Sequence, residues 1–330
     1  MRTADRASHT LQQPAELVGS TLASPGAAAT VTRNVRRNPF SSDHRLFPYM
    51  LWLPTILVLL LMVIYPTIYL FRTSLYRINP MALGMTQFVG LENFRDALTR
   101  PEVWDILGIT GIYIGASLLL EFVIGTGLAI LVANHIKRGQ GLFKVMLIAP
   151  MMLTPVAVGL VWRWMFDATM GVVNYLLGLV GISGPIWLGG EMTALAAVII
   201  VEVWQWTPFV FLTVLAGLSA LPTEPFEAAR VDGANSRQMF TQITLPLLLP
   251  IFSVVLVFRF IDIFKSFDII YVMTEGGPGT ATSILPFYIY QQAFRYFNTG
   301  FASAISILLL ILVVSIYSWM LRRFVNPMGT

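Results

Sequence analysis

The 330-residue sequence predicts an all-α integral membrane protein: six transmembrane helices, both termini in the cytoplasm, and a cytoplasmic helical hairpin between the fourth and fifth helices. Three observations predict it. Hydrophobic residues make up 56% of the chain and charged residues only 12%, about half of the ~25% that soluble domains carry. Six apolar runs reach the roughly 20 residues that a bilayer crossing needs. One long polar interval, residues 222–246, separates two of those runs and carries helix and turn signals of its own.

Residues 1–46 are small and polar, rich in Ala, Ser, Thr and Arg, and have no sustained apolar period. They read as a flexible cytoplasmic N-terminal tail, followed by a transmembrane domain over 47–325. The first apolar run is too long for the core of a cleaved signal peptide. The six runs lie at about 49–71, 107–133, 143–165, 193–217, 247–273 and 301–321. Each must be a helix, because the lipid core offers no water to unpaired backbone groups. Pro66, Pro150, Pro155, Pro208 and Pro250 fall in or near these runs and predict kinks. Orientation follows from the basic residues of the connections. One side holds thirteen: Arg2, Arg6, Arg33, Arg36, Arg37, Arg45, Lys137, Arg138, Lys144, Arg230, Arg237, Arg322 and Arg323. The other holds five: Arg72, Arg77, Arg95, Arg100 and Arg295. The richer side is expected in the cytoplasm, with both termini and the interval 222–246.

That interval reads as two short helices and a tight turn. Thr223 is placed to cap the first helix, with Glu224 and Glu227 near its positive end. Asp232-Gly233 supplies the turn, since glycine accepts positive φ. Asn235 or Ser236 caps the second helix, which is expected to stop at Leu245-Pro246. Met239, Phe240 and Ile243 give it an apolar side. A helical hairpin displayed between two spans has the form of a docking element.

Several chemistries are excluded by composition. There is no cysteine, hence no disulfide, thiolate metal site or cysteine nucleophile. The three histidines, His9, His44 and His135, are scattered, which disfavours a histidine metal site. The net charge of +4 is spread over span flanks rather than gathered for nucleic acid. No phosphate-binding loop is present; Gly139-Gln140-Gly141 before Lys144 has the wrong spacing. Neither a serine nucleophile elbow nor a zinc signature occurs. The chain is expected to catalyse nothing alone and to hold no cofactor.

Charges inside the spans are costly and face a cavity or a partner helix. Arg259, Asp262, Lys265 and Asp268 follow at steps of three in the fifth span. Neighbours alternate in sign, so pairing along the helix is natural. Each step lags the last by about 60°, which turns Arg259 and Asp268 nearly opposite ways. Two readings stand: a neutralised ladder between helices, or a ladder with one member in contact with a solute. Glu202, beside Trp204, Gln205 and Trp206, and Glu121 in the second span either hold solute hydroxyls or bond to a neighbouring helix. Trp162 and Trp164 flank Arg163 where interfacial anchoring is ordinary.

Glu227-Ala228-Ala229, then Asp232-Gly233-Ala234, then Ile243-Thr244-Leu245-Pro246 resemble the EAA loop of binding-protein-dependent ABC importers. Gly90-Leu91-Glu92-Asn93-Phe94, Phe267-Asp268 and Thr274-Glu275-Gly276-Gly277-Pro278 are similar to motifs of the MalF-type sugar permeases, over roughly residues 48–323. The pattern departs at Ile109-Thr110, where that family often has Asn-Thr. The resemblance implies a type I importer in the bacterial inner membrane, importing sugars, polyols, glycosyl glycerols or glycerol phosphate. Its implied partners are a second homologous permease, two ATPase subunits that carry ATP and Mg, and an extracytoplasmic solute-binding protein. It also implies that Glu227, Ala228, Ala229, Asp232, Gly233 and Ala234 dock on an ATPase, with Leu245-Pro246 closing the element. Glu202, Trp204, Trp206, Arg259, Asp262, Lys265 and Asp268 are then candidates for the solute pathway. A secondary transporter or channel working without an ATPase is the alternative. It is disfavoured by the long hairpin and by the lack of a visible inverted repeat.

Overall fold

A computed structural model describes residues 47–79, 85–135 and 140–325. The expected tail at 1–46, and Lys137, Arg138 and Gly139, lie outside the described residues. The chain divides into two units, residues 1–58 and 59–330. The described part of the first is helical and belongs to α1 (Phe47–Leu59).

The second unit is helical apart from one ribbon. A π-helical stretch (Leu60–Ile64) leads into α2 (Tyr65–Ser74). Strands β1 (Tyr76–Asn79) and β2 (Met85–Phe88) then pair antiparallel, with Tyr76 opposite Phe88. This ribbon is an addition to the all-α expectation. The helices α3 (Glu92–Thr99), α4 (Pro101–His135), α5 (Gln140–Ile148), α6 (Pro155–Met165), α7 (Val172–Leu179) and α8 (Glu191–Ser219) follow. After them come α9 (Glu224–Val231), α10 (Ser236–Gln238), α11 (Leu245–Ile263), α12 (Asp268–Met273), α13 (Leu285–Tyr290) and α14 (Thr299–Met320).

Among the described residues, five continuous helices are long and apolar enough to cross a membrane: Leu51–Ser74, Pro101–Asn134, Glu191–Ser219, Ser236–Ile263 and Thr299–Arg323. The expected third span, 143–165, is instead a broken pair, Gly141–Met152 and Pro155–Met165, bent by 97°. Counted as one crossing, it makes the sixth. Pro155 causes the break: it opens α6 and holds Thr154 in the extended region at ψ 139°, as proline requires of its predecessor. A carbonyl freed at such a depth needs a donor, and Gln205 Nε2 of α8 supplies one to Leu153 O at 3.1 Å.

The expected fifth span, 247–273, is displaced at both ends. Its helix begins at Ser236 and runs through Leu245-Pro246, which do not end it. A π-helical stretch (Met239–Thr244) precedes Pro246. That wider turn accommodates a residue without an N–H, and Thr244 Oγ1 donates to Met239 O at 3.2 Å. The same device recurs before Pro66, where Leu60–Ile64 is π-helical and Thr67 Oγ1 donates to Val63 O. At the far end α11 stops at Ile263. Lys265 N and Ser266 N bond to Asp262 O and Ile263 O, a tightened last turn, and α12 starts afresh at Asp268.

The centre of the unit is the packing of α4 on α8. Small residues let the backbones approach, as membrane helix pairs require. A Cβ on Gly125 would lie 2.9 Å from Val210 Cβ and 3.1 Å from Phe211 N. Ala129, Val132, Val210, Phe211 and Val214 are fully buried around it. The Gly90–Phe94 motif closes the ribbon onto α2: Gly90 turns at φ +58°, and buried Asn93 donates through Nδ2 to Ser74 O and Tyr76 O. Trp162 is packed against Trp204 and Phe166, while Trp164 stays exposed and Arg163 Nη1 donates to Val272 O. Only Trp164 therefore remains free for the anchoring expected of both tryptophans.

Gly125→Ala is expected to lower the melting temperature of the detergent-solubilised protein, at a cost of about 1–3 kcal/mol from overpacking. Gly127→Ala, two residues along the same helix with nothing within 4 Å of the added carbon, is expected to be neutral or stabilising. Fluorescence-detected melting of the two variants checks the difference.

Candidate functional site

The hairpin owes its shape to two adjoining caps. Helix α9 ends at Asp232, and Gly233 turns at φ +77°. Gly233 N then bonds to Arg230 O at 3.2 Å and Ala234 N to Ala229 O at 2.9 Å, the paired bonds of a Schellman motif. The next residue, Asn235, opens α10: its Oδ1 accepts from Gln238 N at 2.9 Å, and its own N–H donates to Gln238 Oε1 at 2.8 Å. That is a capping box, and of the two expected caps Asn235 is the one formed. The cap expected from Thr223 is not made. Its backbone is already helical at φ −80°, ψ −27°, so its hydroxyl is not presented to the free N–H groups as an extended N-cap residue would be.

No residue of α9 or α10 is buried. Glu227, Ala228, Asp232 and Gly233 are exposed, Ala229 and Ala234 half-buried, and the apolar side chain of Val231 is 89% exposed. Leu245 and Pro246 open α11. The hairpin is therefore a displayed element, capped on both sides of its turn, whose surface is left open.

A second site lies along α11, where Arg259 is 1% exposed. Its Nε and Nη2 donate to the two oxygens of Glu121 at 2.8 and 2.7 Å, a two-pronged pairing that suits the planar guanidinium. Nη2 also donates to Glu202 Oε1 at 2.9 Å and Nη1 to Asp262 Oδ2 at 2.7 Å. Its ring neighbour is Trp206, 4.8 Å away. Glu202 uses its second oxygen to accept from Tyr113 OH at 2.9 Å, and Tyr113 OH meets Ser266 Oγ at 2.9 Å. Three helices, α4, α8 and α11, are thus joined through one guanidinium.

The expected ladder is made only in its first step. Arg259 and Asp262 pair along α11, but among the described residues no ion pair joins Lys265 to Asp268. The reason is the break at Phe264–Phe267: Asp268 begins another helix, so the i, i+3 spacing no longer applies. Instead Lys265 and Asp268 are exposed on a cleft of about 170 Å³ lined also by Glu202, Trp206, Asp262, Ser266 and Phe267. Arg259 lies behind this cleft. Trp204 lies apart from it, edge-on to Trp162 at 5.4 Å. Acceptors, an ammonium group, a hydroxyl and ring faces meet there, a set suited to a polyhydroxylated molecule. Tyr113 and Ser266 were not singled out from sequence. The signal was present for Tyr113, which precedes Glu121 by eight residues, the spacing of one helix face.

Arg259→Met is expected to destabilise the protein by about 3–5 kcal/mol, because two carboxylates are left buried without their partner. Adding Glu121→Gln and Glu202→Gln to it is expected to recover most of that loss. Melting of the single and triple variants in detergent checks it.

The profile of the family described as binding-protein-dependent transport system inner membrane component matches residues 125–327, which include the hairpin, Glu202 and Arg259. The trehalose/maltose transport system permease protein MalF of Thermococcus litoralis is 37% identical over 81% of this chain and 90% of its own. The sulfoquinovosyl glycerol transport system permease protein SmoG of Agrobacterium fabrum is 35% identical over 84% of this chain and 90% of its own. A crystal structure of a bacterial ABC transporter involved in import of the acidic polysaccharide alginate contains a chain of the same fold, with TM-score 0.74 and 23% identity over 86% of this chain and 96% of that one. On these matches, with the hairpin and the helical fold, the chain belongs to the binding-protein-dependent transport system inner membrane component family and is an ABC importer permease.

Proposed function

We propose that this chain is one of two membrane subunits of an importer that moves a sugar, polyol or glycosyl glycerol across a bacterial cytoplasmic membrane into the cell. ATP and Mg are bound by two separate ATPase subunits, and an extracytoplasmic binding protein delivers the solute. The hairpin lies in the cytoplasm, as the distribution of basic residues favours, and rests on an ATPase through Glu227, Ala228, Ala229 and the turn at Asp232-Gly233-Ala234.

One observation carries this reading: the hairpin and the buried charge cluster share a helix. Ser236–Ile263 is continuous, so the capped turn and Arg259 are ends of one rod about 35 Å apart at 1.5 Å per residue. The other limb of the hairpin leads to α8, which carries Glu202. Arg259 bonded to Glu202 locks these two limbs together at depth. A displacement of the hairpin by ATP-driven closure of its partner then tilts α8 and α11 as a pair and opens the cleft beside Asp262 and Asp268 to alternate sides. The relatives named for trehalose/maltose and for sulfoquinovosyl glycerol support a glycosidic solute.

Purification in mild detergent is expected to bring down an ATPase and a second, similar permease with this chain. Glu227→Lys or Gly233→Pro is expected to abolish ATP-dependent uptake, by reversing a charge on the dock or by forbidding φ +77°. Full uptake by either variant would overturn the docking assignment. Asp268→Asn is expected to impair uptake while the ATPase stays bound; unchanged solute kinetics would place Asp268 outside the pathway.

A further inference from the structure

Between α6 and α8 the chain folds into a hook, made of α7 and a return arm over residues 181–190. The hook lies at the end of α8 away from the 222–246 hairpin, since α8 starts at the arm and ends at the hairpin. It is organised from within. Asn174 of α7 donates through Nδ2 to Ala168 O and to Pro185 O on the arm, and its Oδ1 accepts from Trp187 Nε1 at 2.8 Å. A Cβ on Gly184 would run into Asn174 Oδ1, so the arm lies directly on the helix. At the end of α7, Gly181 turns at φ +76°. Gly181 N and Ile182 N then bond to Gly178 O and Leu177 O at 3.0 Å each, which closes the helix end. Val173 packs on the core, and Trp187 meets Phe166 at 5.0 Å.

The outer surface of the hook is the reverse of a water-facing loop. Val172, Tyr175, Leu176 and Leu179 recur at the i, i+3, i+4, i+7 spacing of one helix face and are 49–68% exposed. Val180, Ile182 and Ile186 carry the exposed apolar surface onto the arm. Residues 168–190 contain no Asp, Glu, Lys, Arg or His, whereas a water-facing stretch of that length carries about six charges. The charges stand at its two ends. Asp167, whose Oδ1 accepts from Thr169 N and Met170 N, and Glu191 are both exposed. On the incoming side α6 packs on α7 and has an exposed apolar stripe of its own, Val156, Leu160 and Trp164, at steps of one turn.

We propose that the hook is a membrane anchor that does not span. Its outer face lies at the boundary of headgroups and acyl chains in the leaflet away from the hairpin, and it holds the adjoining ends of α6 and α8 at that depth. Three features select lipid over a protein partner. The patch continues the stripe on α6, one half of a membrane crossing. Asn174 and the end of α7 are satisfied internally, as a layer poor in water requires. A specific protein interface carries about ten hydrogen bonds and a polar rim, and the uncharged hook offers neither. Tyr175 and Trp164 stand where aromatic side chains ordinarily meet the membrane surface. With one end of α8 held in this way, a tilt of that helix moves its hairpin end most.

The test uses the full chain, purified with its associated subunits and reconstituted in phospholipid vesicles. The chain has no cysteine of its own, so Leu176→Cys, Leu179→Cys and Val180→Cys each place one nitroxide label on its outer face. EPR power saturation compares collisions with oxygen, which concentrates in lipid, and with a water-soluble nickel chelate. All three labels are expected to favour oxygen and to lie roughly 5–10 Å below the lipid phosphates. Leu160→Cys serves as the reference for lipid and Glu191→Cys as the reference for the water side. Labels that favour the nickel chelate would show a face open to water and overturn the anchor. Labels shielded from both reagents would make the face a protein contact and overturn it equally. The unsubstituted protein gives an independent reading. A phospholipid with a carbene-generating diazirine in its upper acyl chain is expected to form adducts within residues 170–182, seen by mass spectrometry, and their absence would count against the anchor in the same way.

Discussion

Everything at depth in this protein depends on one guanidinium finding enough acceptors. Arg259 is buried on α11 and can neither shed its proton nor reach water. It bonds instead to Glu121 of α4, Glu202 of α8 and Asp262 of its own helix. Two fully buried charges are expensive unless each is satisfied. The four groups therefore constrain one another's positions more tightly than apolar packing alone does. Apolar side chains tolerate small slides of one helix past another, whereas the pronged contact with Glu121 fixes both register and rotation. Glu202 and Asp262 are the members of the set that also line the cleft. An event in the cleft and the alignment of three helices thus share participants.

A second constraint is that backbone groups in the membrane must be satisfied wherever proline interrupts a helix. The chain meets it in two ways. Before Pro66 and Pro246 the helix widens into a π turn and a nearby threonine takes a carbonyl. At Pro155 it breaks altogether, and a glutamine from another helix takes the carbonyl of Leu153. The difference has a geometric consequence. A widened helix still transmits force along its axis, which is why the hairpin and Arg259 remain ends of one rod. A break of 97° does not, so α6 is not an axial continuation of α5.

Much of this was legible in the sequence because the signals were local. The apolar runs placed the first, fourth and sixth spans to within a few residues, and Asp232-Gly233 with Asn235 marked the turn. The cluster was legible only in parts. Glu121, Glu202 and Arg259 each stood out as costly charges, yet nothing in their spacing along the chain says that they meet, since that depends on how α4, α8 and α11 cross. Expectation failed where a periodic rule was carried past a break. The three-residue ladder is sound helix arithmetic to Asp262 and void beyond Ile263, because Lys265 and Asp268 stand on a tightened turn and a new helix. Pro246 misled for the opposite reason: proline ends an α turn, but a π turn had already opened a place for it.

The two adjoining caps at Gly233 and Asn235 bear on how such a subunit changes over time. Their hydrogen bonds involve backbone atoms and the Asn235 and Gln238 side chains, none of them belonging to the outward surface of α9. Shape and surface are in this way specified by different residues. Glu224, Glu227 and Val231 are free to drift, or to be rewritten, without deforming the turn that presents them. A hairpin built like this can change what its surface presents by a handful of substitutions, with the membrane helices left as they are.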